Sequence, residues 1–124
     1  MTQTSKRLLI VDDDPRLRAV LSRLLAREGF ECEVASDGDD GLARMRSESF
    51  DLVITDMRMP NKTGLEMIAA AREELPLSPP FILLSGFHDH SVEYLQEAGV
   101  SRVLSKPMPP RALSTHVSEV LELH

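Results

Sequence analysis

Five short apolar segments recur along the chain, separated by longer stretches of mixed polarity. Four of them are continuous runs of apolar residues, and the second alternates polar with apolar positions. Continuous runs are typical of strands buried on both faces of a parallel sheet. Alternation instead predicts a strand with one solvent-facing side, at an edge of the sheet. The predicted strands are residues 8–11, 31–35, 52–54, 81–84 and 103–104.

A helical pattern follows each predicted strand. Pro15 suits the first turn of a helix, and Gly29 is a candidate for the position just beyond the end of that helix. The later helices are predicted at about 39–47, 63–74 and 91–98, and the last begins near residue 109. The residues predicted to face the core are Leu17, Val20, Leu21, Leu24, Leu25, Leu42, Met45, Leu65, Ile68, Ala69, Leu113, Val117, Val120 and Leu121.

Strand and helix therefore alternate five times. This alternation predicts a doubly wound, flavodoxin-like (βα)5 fold of the α/β class, with a five-stranded parallel sheet and helices on both faces. Because the second strand is amphipathic and the others are apolar, the expected strand order is 2-1-3-4-5. The short spacing between elements predicts one domain over residues 1–124, with a core of about 6–122 and no output domain.

Composition narrows the class of protein. The 124 residues carry a net charge of −6, which argues against a nucleic-acid or anionic-membrane surface. The lone cysteine, Cys32, cannot form an intrachain disulfide and fits a reducing compartment. No apolar run approaches the ~18 residues that a membrane span requires. We therefore expect a soluble, cytoplasmic protein.

Polar residues with reactive side chains lie at the C-terminal ends of four predicted strands. Because these ends meet at one edge of a parallel sheet, their side chains are expected to converge in a single crevice. The first strand is followed by three consecutive aspartates, and the others contribute one residue each. The candidates are Asp12, Asp13, Asp14, Asp56, Ser85 and Lys106.

Crowded carboxylates repel one another, so the cluster indicates a divalent cation. Its oxygen ligands favour Mg²⁺, with Mn²⁺ able to substitute. A lysine and a hydroxyl beside the cation would complete a clamp for a phosphoryl group. One carboxylate oxygen could then act as the nucleophile.

The chain resembles, over essentially its whole length, the receiver domain of two-component response regulators. The matching motifs are Val11-Asp12-Asp13, Asp56-Met57-x-Met59-Pro60 with Gly64 eight residues after Asp56, Ser85-Gly86, and Lys106-Pro107. The resemblance implies that Asp56 is the phosphoacceptor. It implies that Asp13, Asp56 and the backbone carbonyl of Arg58 bind Mg²⁺ directly, and that Asp12 binds it through water.

The resemblance also assigns the remaining residues. Ser85 would be the switch hydroxyl, Lys106 would pair with a phosphoryl oxygen, and the Lys106–Pro107 bond would be cis. Asp14 is not a ligand in the family and is expected to begin the first helix. Many family members carry an aromatic residue three positions before the lysine, where this chain has Val103. The usual aromatic part of the switch is therefore absent.

The expected function is that of a signalling module in a two-component or phosphorelay system, not of an enzyme. A sensor histidine kinase or a histidine phosphotransfer protein would supply the phosphoryl group, with at most slow self-dephosphorylation. A downstream protein would bind the face formed by the fourth helix, fifth strand and fifth helix. Direct contact with nucleic acid or membrane is not expected, and the domain would be a monomer or a phosphorylation-dependent dimer.

Two alternatives stay open. The first is an aspartyl-phosphate hydrolase of the haloacid-dehalogenase type, whose first motif Asp12-x-Asp14 imitates. Against it, Arg16 stands where that group has Thr or Val, and no second acidic pair follows late in the chain. The second is a receiver that binds partners without being phosphorylated. The intact set of acidic, hydroxyl and lysine residues argues against this second alternative.

Overall fold

Five strands alternate with five helices. The structure, a computed structural model, describes residues 5–85, 91–106 and 108–123. The strands are β1 Arg7–Val11, β2 Glu31–Ala35, β3 Leu52–Asp56, β4 Phe81–Ser85 and β5 Val100–Ser105. The helices are α1 Pro15–Arg27, α2 Gly38–Ser47, α3 Gly64–Glu74, α4 Val92–Glu97 and α5 Pro110–Leu123.

All strand pairs are parallel, in the order β2-β1-β3-β4-β5, which confirms the predicted doubly wound α/β fold. The register aligns the C-terminal ends of the central strands. Val11 pairs with Thr55, the next residue of β3 pairs with Leu84, and Ser85 pairs with Ser105. Residues at these four strand ends therefore share one edge of the sheet.

The last strand begins earlier than predicted. Phe81 pairs with Val100, whereas Ile82 pairs with Arg102, so Ser101 is an extra residue in the register between β4 and β5. A bulge inserts an unpaired residue and so interrupts the regular alternation of side chains along the strand. For this reason the apolar run at 103–104 marked only part of β5.

Two apolar cores cover the two faces of the sheet. Alternate residues of β1 point to opposite sides, as the pleat of a strand requires. Leu8 and Ile10 pack with α1 and α5, and Leu9 and Val11 pack with α2, α3 and α4. The prediction of helices on both faces is thus confirmed.

Two residues predicted to face the core do not. Val20 is 47% exposed, and Ala69 is also exposed. In α3 the buried positions include Met67 and Ala71, whose side chains flank the predicted Ile68. An apolar stripe on a helix can be wider than the surface on which the helix packs, and its margin then faces solvent.

The edge strand β2 carries the lone cysteine. Cys32 and Val34 are half-buried against the core on the α1 side, whereas Glu31 is exposed. Burial raises the pKa of the Cys32 thiol to about 11. The thiol is therefore protonated at neutral pH and packs as a small apolar residue.

Helices of the described ranges all lack the combination of length and apolar character that crossing a membrane requires.

Candidate functional site

The sheet edge brings together the residues predicted to form the site. Asp12 directly follows β1, Asp56 ends β3, Ser85 ends β4 and Lys106 follows β5. Lys106 Nζ lies 3.1 Å from Asp56 Oδ1 and 3.6 Å from Asp12 Oδ2. The main-chain N–H of Lys106 also donates to the carbonyl of Ser85 at 2.9 Å, which fixes the lysine to the end of β4.

Three carboxylates crowd this edge. One oxygen from each of Asp12, Asp13 and Asp56 lies within 4.8 Å of the other two. Asp12 and Asp56 are buried, and Asp13 is exposed. Like charges at such distances repel strongly, and the buried pair has little water to screen the repulsion. The cluster therefore has one open side, at Asp13, through which an ion could enter.

Asp12 shows the clearest sign of a missing partner. It is 2% exposed, and its Oδ1 accepts a hydrogen bond of 2.9 Å from the Asp14 main-chain N–H. Its Oδ2 is buried and lies 3.6 Å from Lys106 Nζ, and it has no hydrogen bond within the described residues. Since buried polar atoms are normally satisfied, this oxygen points to a ligand. A hard cation such as Mg²⁺ fits the donor set of three carboxylates.

Electrostatics connect the lysine to the carboxylates. Burial raises the pKa of the Asp12 carboxyl above its ordinary value. The Asp14 hydrogen bond and Lys106 oppose that increase, and the other two carboxylates add to it. Burial alone would lower the pKa of Lys106, but its pairing with Asp56 and Asp12 outweighs burial and raises it. Lys106 is therefore a permanent cation at this site near neutral pH.

A tight loop, residues 57–63, connects Asp56 to α3. Met57 N–H donates to the Leu84 carbonyl at 3.0 Å, and Gly64 N–H donates to the Met57 carbonyl at 2.9 Å. A Cβ atom at Gly64 would lie 2.4 Å from the Asp56 carbonyl oxygen, a distance that real Cβ atoms do not reach. Glycine at this position thus follows from the close approach of α3 to the end of β3.

The start of α3 is fixed by its own cap. Thr63 Oγ1 accepts from the Glu66 main-chain N–H at 3.2 Å, and the Glu66 carboxylate accepts from the Thr63 N–H at 2.9 Å. This reciprocal pair is a capping box, which satisfies two free donors of the helix end. The cap keeps α3 from unwinding into the loop that follows Asp56.

Some of the predicted roles involve atoms for which the structure gives no contact that bears on the role. Arg58 lies in this loop with an exposed side chain, and the role of its carbonyl stays a prediction. Ser85 is buried at the end of β4, and its role as a switch hydroxyl also stays a prediction. The predicted cis conformation of the Lys106–Pro107 bond depends on a residue outside the described ranges.

The other sequence expectations have definite positions. The Asp14 side chain accepts from the main-chain N–H groups of Arg16 and Leu17, so it caps α1 as predicted. Val103 pairs with Leu83 and is half-buried against the core on the α2 side. An aliphatic side chain thus occupies the position at which the resemblance led us to look for an aromatic residue.

Sequence reasoning missed two contacts around the site. Arg18, in the first turns of α1, donates to the Asp12 carbonyl at 2.6 Å. Asn61, in the loop after Asp56, donates to Asp37 at 2.9 Å. The only sequence signal for Arg18 is its place one turn after the acidic residues. No signal marks the second pair, because its members are 24 residues apart.

The chain is similar in sequence to known proteins. The family model described as "Response regulator receiver domain" matches residues 8–118. Transcriptional regulatory protein GlrR of Escherichia coli (strain K12) is 33% identical over 122 residues, which cover 98% of this chain and 28% of that protein. Transcriptional regulatory protein ResD of Bacillus subtilis (strain 168) is 32% identical over 124 residues, covering 98% of this chain and 50% of that protein. The chain thus spans half or less of the length of both.

The fold also matches solved structures. The crystal structure of response regulator protein TrrA from Thermotoga maritima, in complex with Mg²⁺-BeF, superimposes with a TM-score of 0.80. The two sequences are 31% identical, and the match covers 93% of this chain and 98% of that one. That protein was therefore captured with the cation that the carboxylate cluster of this chain fits.

Proposed function

Because this chain belongs to the family of response regulator receiver domains, we propose that Asp56 accepts a phosphoryl group and that the modification switches the domain between two states. Receiver domains are the signalling modules of two-component systems. The donor would be a phosphohistidine on a sensor histidine kinase or a histidine phosphotransfer protein. The observation that carries the proposal is the placement of Lys106 Nζ between two buried carboxylates, 3.1 Å from Asp56 and 3.6 Å from Asp12.

Asp56 would act as the nucleophile. One of its carboxylate oxygens would attack phosphorus while the bond from phosphorus to the donor imidazole nitrogen breaks, and that nitrogen would keep the electron pair. Lys106 already holds Asp56 Oδ1 and would hold an oxygen of the incoming phosphoryl group after transfer. The ammonium opposes the negative charge that develops on these oxygens.

The carboxylate cluster would hold Mg²⁺, with Mn²⁺ as a substitute. We assign Asp13, Asp56 and the Arg58 carbonyl as direct ligands and Asp12 as a ligand through water. When bound, the cation neutralises the carboxylates and the phosphoryl oxygens. The buried Oδ2 of Asp12 supports this assignment, because it has no hydrogen bond within the described residues and Lys106 Nζ approaches it only to 3.6 Å. The crystal complex of TrrA with Mg²⁺-BeF supports it as well.

Ser85 would relay the modification. It ends β4 next to Asp56 and stands directly before the connection to α4. Movement of its hydroxyl toward the phosphoryl group would shift the populations of two states of the domain. A protein partner would then bind the face of α4, β5 and α5. With Val103 on β5, this shift would proceed without the swing of an aromatic ring.

Mass spectrometry of the intact protein tests the proposal. With Mg²⁺ and a small phosphodonor, we expect one phosphoryl group per chain in the parent and none in Asp56→Asn. Turnover of the donor that survives in Asp56→Asn but is lost in Asp12→Asn would instead identify a hydrolase of the haloacid-dehalogenase type. A parent that never gains mass, even with a phosphorylated kinase, would be a binding module independent of phosphorylation.

A further inference from the structure

The loop after Asp56 contains a strained turn. The main-chain N–H of Lys62 donates to the Pro60 carbonyl at 2.8 Å, and Asn61 between them has a φ of 71°. A hydrogen bond between residues two apart, closed by a positive φ, marks a rare and strained three-residue turn. Asparagine tolerates this conformation better than most residues, but at a cost that something else must offset.

Asp37 supplies the compensating contact. This residue precedes α2, and its Oδ1 accepts from the Asp40 main-chain N–H at 2.8 Å to cap that helix. Its Oδ2 accepts from the Asn61 side-chain amide at 2.9 Å. A single carboxylate thus ties the strained turn to the N-terminal end of α2, with one oxygen for each partner.

The two segments also touch through their backbones. A Cβ atom at Gly38 would lie 2.6 Å from the Lys62 carbonyl oxygen, so the first residue of α2 leaves no room for a side chain. Lys62 Nζ lies 3.7 Å from Asp39 Oδ1. The far end of the loop is held by Gly64 against the Asp56 carbonyl. The loop is therefore fixed at both ends, and the Asp37 contact fixes its strained corner.

We propose that the hydrogen bond between Asn61 and Asp37 is a positioning contact for the cation site, because it holds the main chain at Arg58 in one place relative to Asp13 and Asp56. This inference rests on the proposed function, which makes the Arg58 carbonyl a ligand. Arg58 lies three residues before Asn61 in the same short loop. A turn released from its strain would move the main chain on both sides of Asn61. Contacts that orient metal ligands typically change the affinity for the metal about 10-fold or more.

The test compares a variant that removes this contact with a control that removes a different contact between α2 and α3. Asn61→Gly keeps a residue that accepts the positive φ and removes the side-chain amide. Arg46→Gln is the matched control, because the Arg46 guanidinium pairs with the Glu74 carboxylate at 2.8 and 2.9 Å. This pair also joins α2 to α3, but at the C-terminal ends of the two helices and not at the loop that contains Asn61. The readouts are the Mg²⁺ dissociation constant by calorimetry, without a phosphodonor, and the urea midpoint in the presence of a chelator.

Exchanging the two side chains of this contact provides a test of whether Mg²⁺ binding can be restored. Asn61→Asp alone places two carboxylates against each other and should weaken Mg²⁺ binding at least as much as Asn61→Gly. Combining Asp37→Asn with Asn61→Asp restores an amide–carboxylate hydrogen bond with donor and acceptor exchanged. The asparagine side chain introduced before α2 in that double variant still has an oxygen with which to cap the helix.

The expected result is a Mg²⁺ affinity about 10-fold weaker in both single variants at position 61, recovery to within about twofold in the double variant, and parent-like affinity in Arg46→Gln. Parent-like affinity in Asn61→Gly would overturn the inference. So would a loss that merely follows the urea midpoint and appears equally in Arg46→Gln. A parent that binds Mg²⁺ but is never phosphorylated would contradict the proposed function alone, whereas a parent that does not bind Mg²⁺ would contradict both.

Discussion

Asp12→Asn is expected to stabilise the fold when no divalent cation is present. Asparagine has almost the same shape as aspartate, and its side-chain oxygen can still accept the hydrogen bond from Asp14. Its NH₂ group would take the place of Oδ2, which lies 3.6 Å from Lys106 Nζ and has no hydrogen bond within the described residues, and could donate to a neighbouring carboxylate. The substitution thus removes a buried charge and satisfies a buried polar position.

The distances set the magnitude. At an effective dielectric constant of about 20, two carboxylates no more than 4.8 Å apart repel by at least ~3.5 kcal/mol, and Lys106 attracts Asp12 across 3.6 Å by ~4.6 kcal/mol. Neutralising Asp12 removes two repulsions and one attraction, which leaves a relief of ~2 kcal/mol. Asp13 is exposed and the Lys106 side chain is 32% exposed, so solvent screening reduces the expected gain to about 1 kcal/mol.

Two further variants bracket this expectation. Asp13→Asn should stabilise by less, because water already screens that exposed carboxylate. Lys106→Met should destabilise the fold by about 1–3 kcal/mol, since it leaves the buried carboxylates without their cation. Without divalent cations, Asp12→Asn should therefore be the most stable of the three proteins, the parent should come next and Lys106→Met should be the least stable.

Urea denaturation with a chelator and with saturating Mg²⁺ checks this order. Mg²⁺ should raise the free energy of unfolding of the parent by mass action and change that of Asp12→Asn much less. With saturating Mg²⁺, the free energy of unfolding of the parent should therefore equal or exceed that of Asp12→Asn. If Asp12→Asn is no more stable than the parent in the chelator and gains as much from Mg²⁺, the electrostatic account of the site is wrong.

Three other outcomes follow from the loop and its anchors. Gly64→Ala should destabilise the fold by about 2 kcal/mol or more and abolish phosphorylation, because its Cβ would overlap the Asp56 carbonyl oxygen; thermal melting and intact mass measure both effects. Gly38→Ala should weaken Mg²⁺ binding in calorimetry, because its Cβ would displace the main chain at Lys62. The hydrogen bond from the α2 main chain, followed by that from the loop amide, holds the pKa of Asp37 below its ordinary value. Its stabilising contribution is therefore complete above about pH 4 and is lost as the pH falls through the folded-state value. Asp37→Asn should accordingly show a smaller fall in urea midpoint between about pH 5 and pH 3, and parallel curves would contradict this.

The fold could be predicted from sequence because buried strands have recognisable patterns of apolar residues over a few consecutive positions. Continuous apolar runs marked the central strands, and alternation marked β2 as the edge. The strand ends then placed the acidic residues and Lys106 at one edge of the sheet without any long-range information. The strand order was predicted from the second segment, because its alternating pattern is the one that suits a strand with a solvent-facing side.

The remaining features depend on contacts between distant segments. The bulge at Ser101 arises from the pairing of β5 with β4. The apolar run that follows Ser101 contains no feature from which the bulge could be predicted. Val20 carries an apolar side chain on a helix, but only packing decides how much of the stripe is covered. The contact of Asn61 with Asp37 joins two polar loop residues, and polar loops have no periodicity from which a partner could be inferred.

The state of Cys32 has a practical consequence for measuring how the domain moves. With a pKa of about 11, only about one thiol in ten thousand is a thiolate at pH 7, and the side chain is half-buried as well. Maleimide reagents attack thiolates, so cysteines introduced on exposed faces of α4 and α1 would be labelled well before the native one. Spin or fluorophore pairs can thus be attached to the otherwise unaltered chain, and the distance between them can be followed as a phosphodonor is added.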